Sequence, residues 1–265
     1  VLPDPTGSTT EEILAGGGVN VVVRVGDTVR RPAGPWTPAV HALLGHLAAR
    51  GFTGAPRAHG LDGQGREILD FVPGTAACDP VPPYVRDDAT LRAVAGLLRA
   101  YHDATTGFTP PGDAAWYFPP REPAEVVCHA DIAPYNCVFR DGAPVAFIDF
   151  DTAHPGPRLW DVAYAAYRFV PLTAQGHGEA PTPVPEQARR LGLFCDAYGL
   201  AAADRAALTD VVGERLHGMA RLIREKAAAG DAAFAAHLAG GHDALYLADA
   251  AHVARHALVL QEAVR

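Results

Sequence analysis

The chain has 265 residues, of which 49% are hydrophobic and 20% charged, and its mean hydropathy is +0.03. That length supports one large domain or two lobes and excludes a small disulfide-stapled scaffold. The net charge of −8 excludes a general nucleic-acid binder, whose phosphate contacts need a basic face.

The acidic excess is uneven. Residues 1–150 carry 17 acidic and 11 basic groups (−6), and residues 151–265 carry 13 and 11 (−2). Cys78, Cys128, Cys137 and Cys195 show no C-x-x-C spacing and read as buried, reduced thiols of a cytoplasmic protein. No run of about 18 apolar residues predicts a membrane helix. No basic stretch precedes an apolar one in the manner of a signal peptide. The chain opens at Val1 without methionine, so a few residues are expected to precede it.

In chain order, residues 11–31 predict three short strands: "EEIL", then "VVVRV" after the glycine-rich "AGGGVN", then "TVRR" across the tight turn "GD". "TPAVHALLGHLAARG" has helical apolar spacing (Val40, Leu43, Leu44, Leu47) and stops at Gly51. "GREILDFVPG" predicts a further strand, ended by Pro73-Gly74. A proline-bearing linker leads to a long helix that Asp87 or Asp88 can cap, with Leu91, Val94, Leu97, Leu98 and Tyr101 along one face. The irregular "PPGDAAWYFPPREP" follows. "EVVCH" then leads into a polar loop, and "NCVFR" pairs across "DG" with "PVAFID". Beyond Asp161 the chain is mainly helical, with period-3.6 spacing in three long segments. Residues 173–185, rich in Pro and Gly, predict a surface loop. No internal repeat is present.

Chemistry concentrates in His129-Ala130-Asp131, Asn136, Ile148-Asp149-Phe150-Asp151 and Trp160-Asp161-Val162-Ala163. One Asp or Asn beside an apolar run is ordinarily a turn former. His129 and Asp131 alone could join a metal-hydrolase cluster, but no second histidine stands at ligand spacing. The three motifs together, in this order, resemble the aminoglycoside phosphotransferase and choline kinase superfamily. Its catalytic motif is H-G-D-x-x-x-x-N and its metal motif I-D-[FWL]-[DEG]. The resemblance covers most of the chain from about residue 11 and is strongest over 126–163.

That resemblance implies an α+β, bilobal, protein-kinase-like fold. Residues 1–74 would form a nucleotide-binding lobe with an antiparallel sheet and a hinge near 69–74. Residues 75–265 would form a mainly helical lobe with the catalytic loop, metal motif and acceptor site. It implies transfer of the γ-phosphate of ATP or GTP to a small-molecule hydroxyl, with Mg²⁺. Phosphoryl transfer needs in-line positioning and charge neutralisation more than covalent help. Asp131 is the implied catalytic residue, accepting or orienting the acceptor's hydroxyl proton. Asn136 and Asp149 are the implied metal ligands, supplying hard oxygen donors. His129 is implied as a brace of the catalytic loop, and Asp161 as the acceptor of that loop's backbone N–H groups. Asp151 is either an extra metal or substrate contact or a solvated turn residue. The second reading of the chain is a catalytically impaired, kinase-like binding or immunity protein. No nucleic acid or membrane partner is expected.

The first lobe departs from the family's pattern. Its strand lysine has no counterpart, because the one lysine, Lys226, lies in a C-terminal helix. The matching strand residue is arginine: Arg30 by the run "TVRRP", with Arg31 as fallback. An arginine fork is not equivalent to an ammonium. The helix glutamate that pairs with that lysine is missing too: no Asp or Glu lies between Asp27 and Asp62, and the helix carries His41 and His46. Gly16, Gly17 and Gly18 either lie over the phosphates or form an ordinary hairpin turn. Leu69, Asp70, Phe71 and Val72 are expected to meet the purine, with Ile68 beside them, although a plain core strand fits the same residues. Ala130 stands where the family usually has glycine, which is harmless unless that position needs a positive φ. Trp116, Tyr117, Phe118, Tyr135, Tyr164 and Tyr167 could line a pocket for a less polar acceptor, or simply pack in the core. The −2 balance of 151–265 gives no special support for a polycationic acceptor. Arg168, Arg189, Arg190, Arg221 and Arg224 read mostly as solvated helix faces.

Overall fold

A computed structural model describes residues 11–14, 21–174 and 181–265. Its first lobe is a five-stranded antiparallel sheet of order β1-β2-β3-β5-β4. The strands are β1 (Glu12–Leu14), β2 (Val22–Val25), β3 (Thr28–Pro32), β4 (Ala58–Leu61) and β5 (Arg66–Asp70). Gly26 (φ 62°) takes the left-handed conformation that the two-residue β2–β3 turn demands. Helix α1 (Thr37–Ala49) buries Val40, Leu43, Leu44 and Leu47 on the face that their spacing marks.

Strand β4 is an element the sequence pattern conceals. "AHGL" has no alternation, and its pairing with β5 shifts register between Ala58 and Leu61.

After β5 the chain crosses to the second lobe through β6 (Thr75–Ala76), which joins β8 (Cys137–Arg140) and β9 (Ala143–Phe147) in a three-stranded sheet. The crossing is tight at Gly74 (φ 144°), where a Cβ would sit 2.6 Å from the Phe139 carbonyl oxygen. Only glycine passes there without displacing backbone. A third, two-stranded sheet pairs β7 (Val126–Cys128) with β10 (His154–Gly156). Together these short strands clamp the polar loop 129–136 from both sides.

Helix α2 (Asp88–Thr105) runs through the core of the second lobe. Leu91, Val94, Leu98 and Tyr101 are fully buried, and burial of each such side chain contributes about 2 kcal/mol. Helices α3 (Arg158–Phe169), α4 (Val184–Tyr198) and α5 (Ala202–Ala228) complete the framework. Three further helices follow: α6 (Ala232–Ala239), α7 (His242–Arg255) and α8 (Ala257–Glu262). The last long apolar segment is thus two helices broken at His256, with no Gly or Pro to announce the break. Arg190 is buried rather than solvated, because its guanidinium donates to the carbonyls of Arg86 and Phe169. Among the described residues no helix is long and apolar enough to cross a membrane.

Candidate active site

The loop between β7 and β8 is held from beneath by one buried carboxylate. Asp161, in the first turn of α3, accepts the backbone N–H of His129 and of Ala130, each at 2.8 Å. His102 of α2 adds a contact from its Nε2 at 3.0 Å. Burial alone would raise the Asp161 carboxyl, but the His102 hydrogen bond and charge and the His129 N–H outweigh it, so its pKa lies below the ordinary value. His129 is fully buried, its Nε2 3.0 Å from the Ile148 carbonyl and its Nδ1 accepting the Asp131 N–H at 3.3 Å. This imidazole therefore ties the loop to the strand that delivers Asp149.

Between His129 and Asp131 the backbone turns through Ala130 at φ 67°. The position does need a positive φ, and an alanine there costs about 1–2 kcal/mol. Two anchors hold it: the Asp161 contact to its N–H and Arg215 of α5, whose guanidinium donates to its carbonyl. The Arg215 guanidinium also lies over the rings of Trp160 (4.9 Å) and Tyr164 (4.8 Å).

The turn presents Asp131 to the cleft. Its Oδ1 accepts from the Tyr135 hydroxyl at 2.9 Å and its Oδ2 from Asn136 Nδ2 at 2.8 Å. Each carboxylate oxygen keeps a second lone pair for a further donor. Burial pushes the Asp131 pKa up, against the Tyr135 hydrogen bond. The result is a stronger base than a solvated aspartate. Asn136 spends its amide nitrogen on Asp131, so its oxygen is the atom left for a further partner.

Asp149 follows β9 in the left-handed region (φ 64°, ψ 66°), where aspartate is tolerated better than most residues. Its side chain is 48% exposed and lines two cavities. One, about 380 Å³, lies under the sheet and is lined by Val22, Val29, Leu69, Val138 and Ile148, with Arg31 and Asn136 at its polar end. Asp70, Phe71 and Val72 also line it, whereas Ile68 does not. The other, about 630 Å³, opens beyond Asp131 toward α5, α6 and α7. Asp131, Asn136 and Asp149 therefore meet where the two cavities join. Gly16, Gly17 and Gly18 lie outside the described residues.

The strand arginine is Arg31 and not Arg30, which corrects the register expected from "TVRRP". Side chains alternate along β3, and Val29 and Arg31 share the cleft face. Arg30 points away, donating to Thr28 Oγ1 at 2.6 Å, with Asp62 at 3.9 Å. Arg31 meets a carboxylate that the missing helix glutamate did not foretell. Its Nε lies 2.5 Å from Glu67 Oε1 on the neighbouring strand, and His41 of α1 touches Glu67 Oε2 at 3.0 Å. Its two terminal nitrogens reach Asp149 (2.7 Å) and Asp151. Asp151 is accordingly neither a plain solvated turn residue nor a free ligand. Burial, offset by Arg31, pushes its pKa up to about 6.

A model of the phosphotransferase enzyme family matches residues 113–208. The trifolitoxin immunity protein of Rhizobium leguminosarum bv. trifolii is 34% identical over 226 residues, spanning 82% of this chain and 85% of that protein. The chain belongs to the phosphotransferase enzyme family. Solved structures of similar fold include amicoumacin kinase hAmiN in complex with AMP-PNP, Ca²⁺ and Ami (TM-score 0.64, 12% identity, 86% of this chain and 87% of that one). A choline/ethanolamine kinase family protein from Mesorhizobium loti gives a TM-score of 0.62 at 16% identity, over 98% and 94% of the chains. The GDP complex of aminoglycoside 2′-phosphotransferase-IIIa gives 0.60 at 14%, over 93% and 94%. The bilobal, protein-kinase-like architecture of this phosphotransferase-family chain is thus shared with small-molecule kinases.

Of the aromatic residues singled out in the sequence, Tyr117, Phe118, Tyr135 and Tyr164 line the larger cavity. Trp116 packs against Phe108 (6.4 Å), and Tyr167 is buried with its hydroxyl on Asp249 (2.8 Å). Trp36, Phe234 and Tyr246 line the same cavity without having stood out in the sequence. They come from distant segments with no shared motif.

Proposed function

We propose that this chain transfers the γ-phosphate of a nucleoside triphosphate, ATP or GTP, to a hydroxyl of a small molecule such as an antibiotic, a sugar or another metabolite. The observation that carries the reading is the direct contact of Asp131 with Asn136 at the junction of two cavities, with Asp149 lining both. Residues up to about 74 act as the nucleotide lobe, and residues 75–265 supply the catalytic loop and the acceptor site. In this reading the apolar cavity under the sheet takes the base, with Leu69 to Val72 at its edge. The larger cavity takes the acceptor.

Asp131 then accepts the acceptor's hydroxyl proton, or orients the hydroxyl for in-line attack. Tyr135 and Asn136 fix the carboxylate plane, so little reorganisation is needed at the moment of transfer. Asn136 and Asp149 fit a hard divalent cation, since both offer oxygen donors and Asp149 is reachable from solvent. Bound there, Mg²⁺ would neutralise phosphate charge. Arg31 is the cation of the strand. It stands beside the phosphate end of the nucleotide cavity and is oriented by Glu67 and His41.

The test is turnover with ATP or GTP, Mg²⁺ and a library of hydroxyl-bearing metabolites and antibiotics, followed by mass spectrometry. Product carrying one added phosphoryl group is expected with the native chain. Its rate should fall by about 10²–10⁴-fold in Asp131→Ala. Equal turnover in that variant would defeat the mechanism.

A second reading, a kinase-like binding or immunity protein of impaired catalysis, is favoured by two contacts of Arg31. Arg31 occupies both Asp149 and Asp151, and a metal must compete with it. The 34% identity to a trifolitoxin immunity protein points the same way. Ligand binding without phosphorylated product is its signature.

A further inference from the structure

The structure assigns the 630 Å³ cavity to an acceptor with a flat apolar body and an anionic group held by Lys226, and not to a polycation. This rests on reading that cavity as the acceptor site. Its walls are aromatic: Trp36 and Tyr117 meet edge to face at 4.8 Å, and Phe118, Phe234 and Tyr246 continue the surface. Such rings bury flat, unsaturated or cyclic bodies and give a polycation's many hydroxyl and ammonium groups few partners.

The charged groups of the cavity differ in the partners they already have. Asp131, Asp149, Asp151 and Asp231 all line the cavity and each has partners within the protein, Asp131 keeping a lone pair on each oxygen for the acceptor's hydroxyl. Asp131 is held by Tyr135 and Asn136, and Asp149 and Asp151 by Arg31. Asp231 accepts the backbone N–H groups of Ala233 (3.0 Å) and Phe234 (3.2 Å) as the cap of α6. On the basic side Arg215 is committed to the Ala130 carbonyl.

Lys226 is different. It is the one lysine of the chain, it is partly buried, and its Nζ stands 5.0 Å from the centroid of the Tyr117 ring. Among the described residues no carboxylate lies within ion-pair distance of it. An ammonium partly stripped of water and held over a ring retains its attraction for an anion. His237 and His242 line the same cavity, Nδ1 to Nδ1 at 2.8 Å, so one of them holds the proton between the two. Their imidazoles add polar edges to the same cavity. A carboxylate on Lys226 and a ring against Trp36 and Tyr117 would leave the ligand's hydroxyl free to point at Asp131.

The test is calorimetric titration of the full chain, saturated with AMP-PNP and Mg²⁺, with four probes: 4-(hydroxymethyl)benzoate, 4-(hydroxymethyl)benzamide, 4-(aminomethyl)benzyl alcohol and kanamycin. The benzoate is expected to bind about tenfold more tightly than the amide, a difference that one charge-assisted hydrogen bond supplies, and the two cationic probes least. Lys226→Gln should erase the preference of acid over amide while AMP-PNP affinity stays unchanged. Tightest binding by kanamycin or by the amine would overturn the assignment. So would a preference that survives in Lys226→Gln, a loss of AMP-PNP affinity in that variant, or no binding of any probe at millimolar concentration. Failure of the phosphotransfer reading is separable, since it appears as probe binding without ADP release when ATP replaces AMP-PNP.

Discussion

Arg31 and Glu67 are direct partners across β3 and β5, and the Arg31 Nε lies 2.5 Å from Glu67 Oε1. Glu67 is 1% exposed, so the pair is buried and each partner depends on the other. The carboxylate that orients this chain's strand cation thus comes from the adjacent strand, and helix α1 contributes only a histidine to it.

Arg31→Ala leaves the buried Glu67 carboxylate without its cation. We expect a loss of about 3–5 kcal/mol in urea denaturation and a large drop in AMP-PNP affinity. Arg30→Ala, whose nearest carboxylate is Asp62 at 3.9 Å on the other face, should cost no more than about 1 kcal/mol and leave affinity near native. Calorimetry on both variants checks this, and equal effects would contradict the register. Arg31→Lys should recover part of the stability but not the three-way contact, since an ammonium lacks the planar fork.

Asp151 carries a pH dependence. Its pKa of about 6 in the folded chain exceeds the unfolded value, so the folded state holds this proton more tightly. By linkage, its contribution to stability falls as pH rises from about 4 through 6 and is flat above. Its charged form also anchors Arg31, so Asp151→Asn should free that guanidinium for phosphate. Tighter ADP binding by the variant is expected at pH 7.5, by about threefold or more, with the advantage disappearing at pH 5. A ratio of affinities that does not change with pH would contradict the assignment.

Asp161 behaves oppositely. Its folded pKa is depressed, so its stabilisation is present above the unfolded value near 3.9 and is lost as pH falls through the lowered one. Asp161→Asn turns an NH₂ toward donors that the carboxylate satisfies: two backbone N–H groups and His102. A cost of about 3 kcal/mol or more is expected at pH 7, narrowing in acid below about pH 4. Urea denaturation across that range measures it. A gap that stays constant into strong acid would show that the charge of Asp161 is not what holds the loop.

Much of this site is local in the chain and therefore legible from it. His129, Asp131 and Asn136 share one turn, and Asp149 and Asp161 follow at spacings set by one hairpin and one helix start. The rest of the site is non-local or depends on parity. A one-residue shift along β3 exchanges Arg30 for Arg31, and "TVRRP" has no apolar alternation to fix which arginine faces the cleft. Glu67 joined the site through strand pairing across 36 positions, which no motif spacing encodes. Helix α6 has no buried residue and hence no apolar stripe to mark it in the sequence. Trp36, Phe234 and Tyr246 reach one cavity only after the lobes and the C-terminal helices are folded together.

The central claim, that Asn136, Asp149 and Arg31 frame a nucleotide and its divalent cation, is tested most directly by calorimetric titration with AMP-PNP. The native chain should bind it with Mg²⁺ present. EDTA should weaken that binding, and Asp149→Asn should weaken it to the same level and remove the dependence on Mg²⁺. No binding by the native chain, or an affinity indifferent to both EDTA and the Asp149→Asn substitution, would contradict the account.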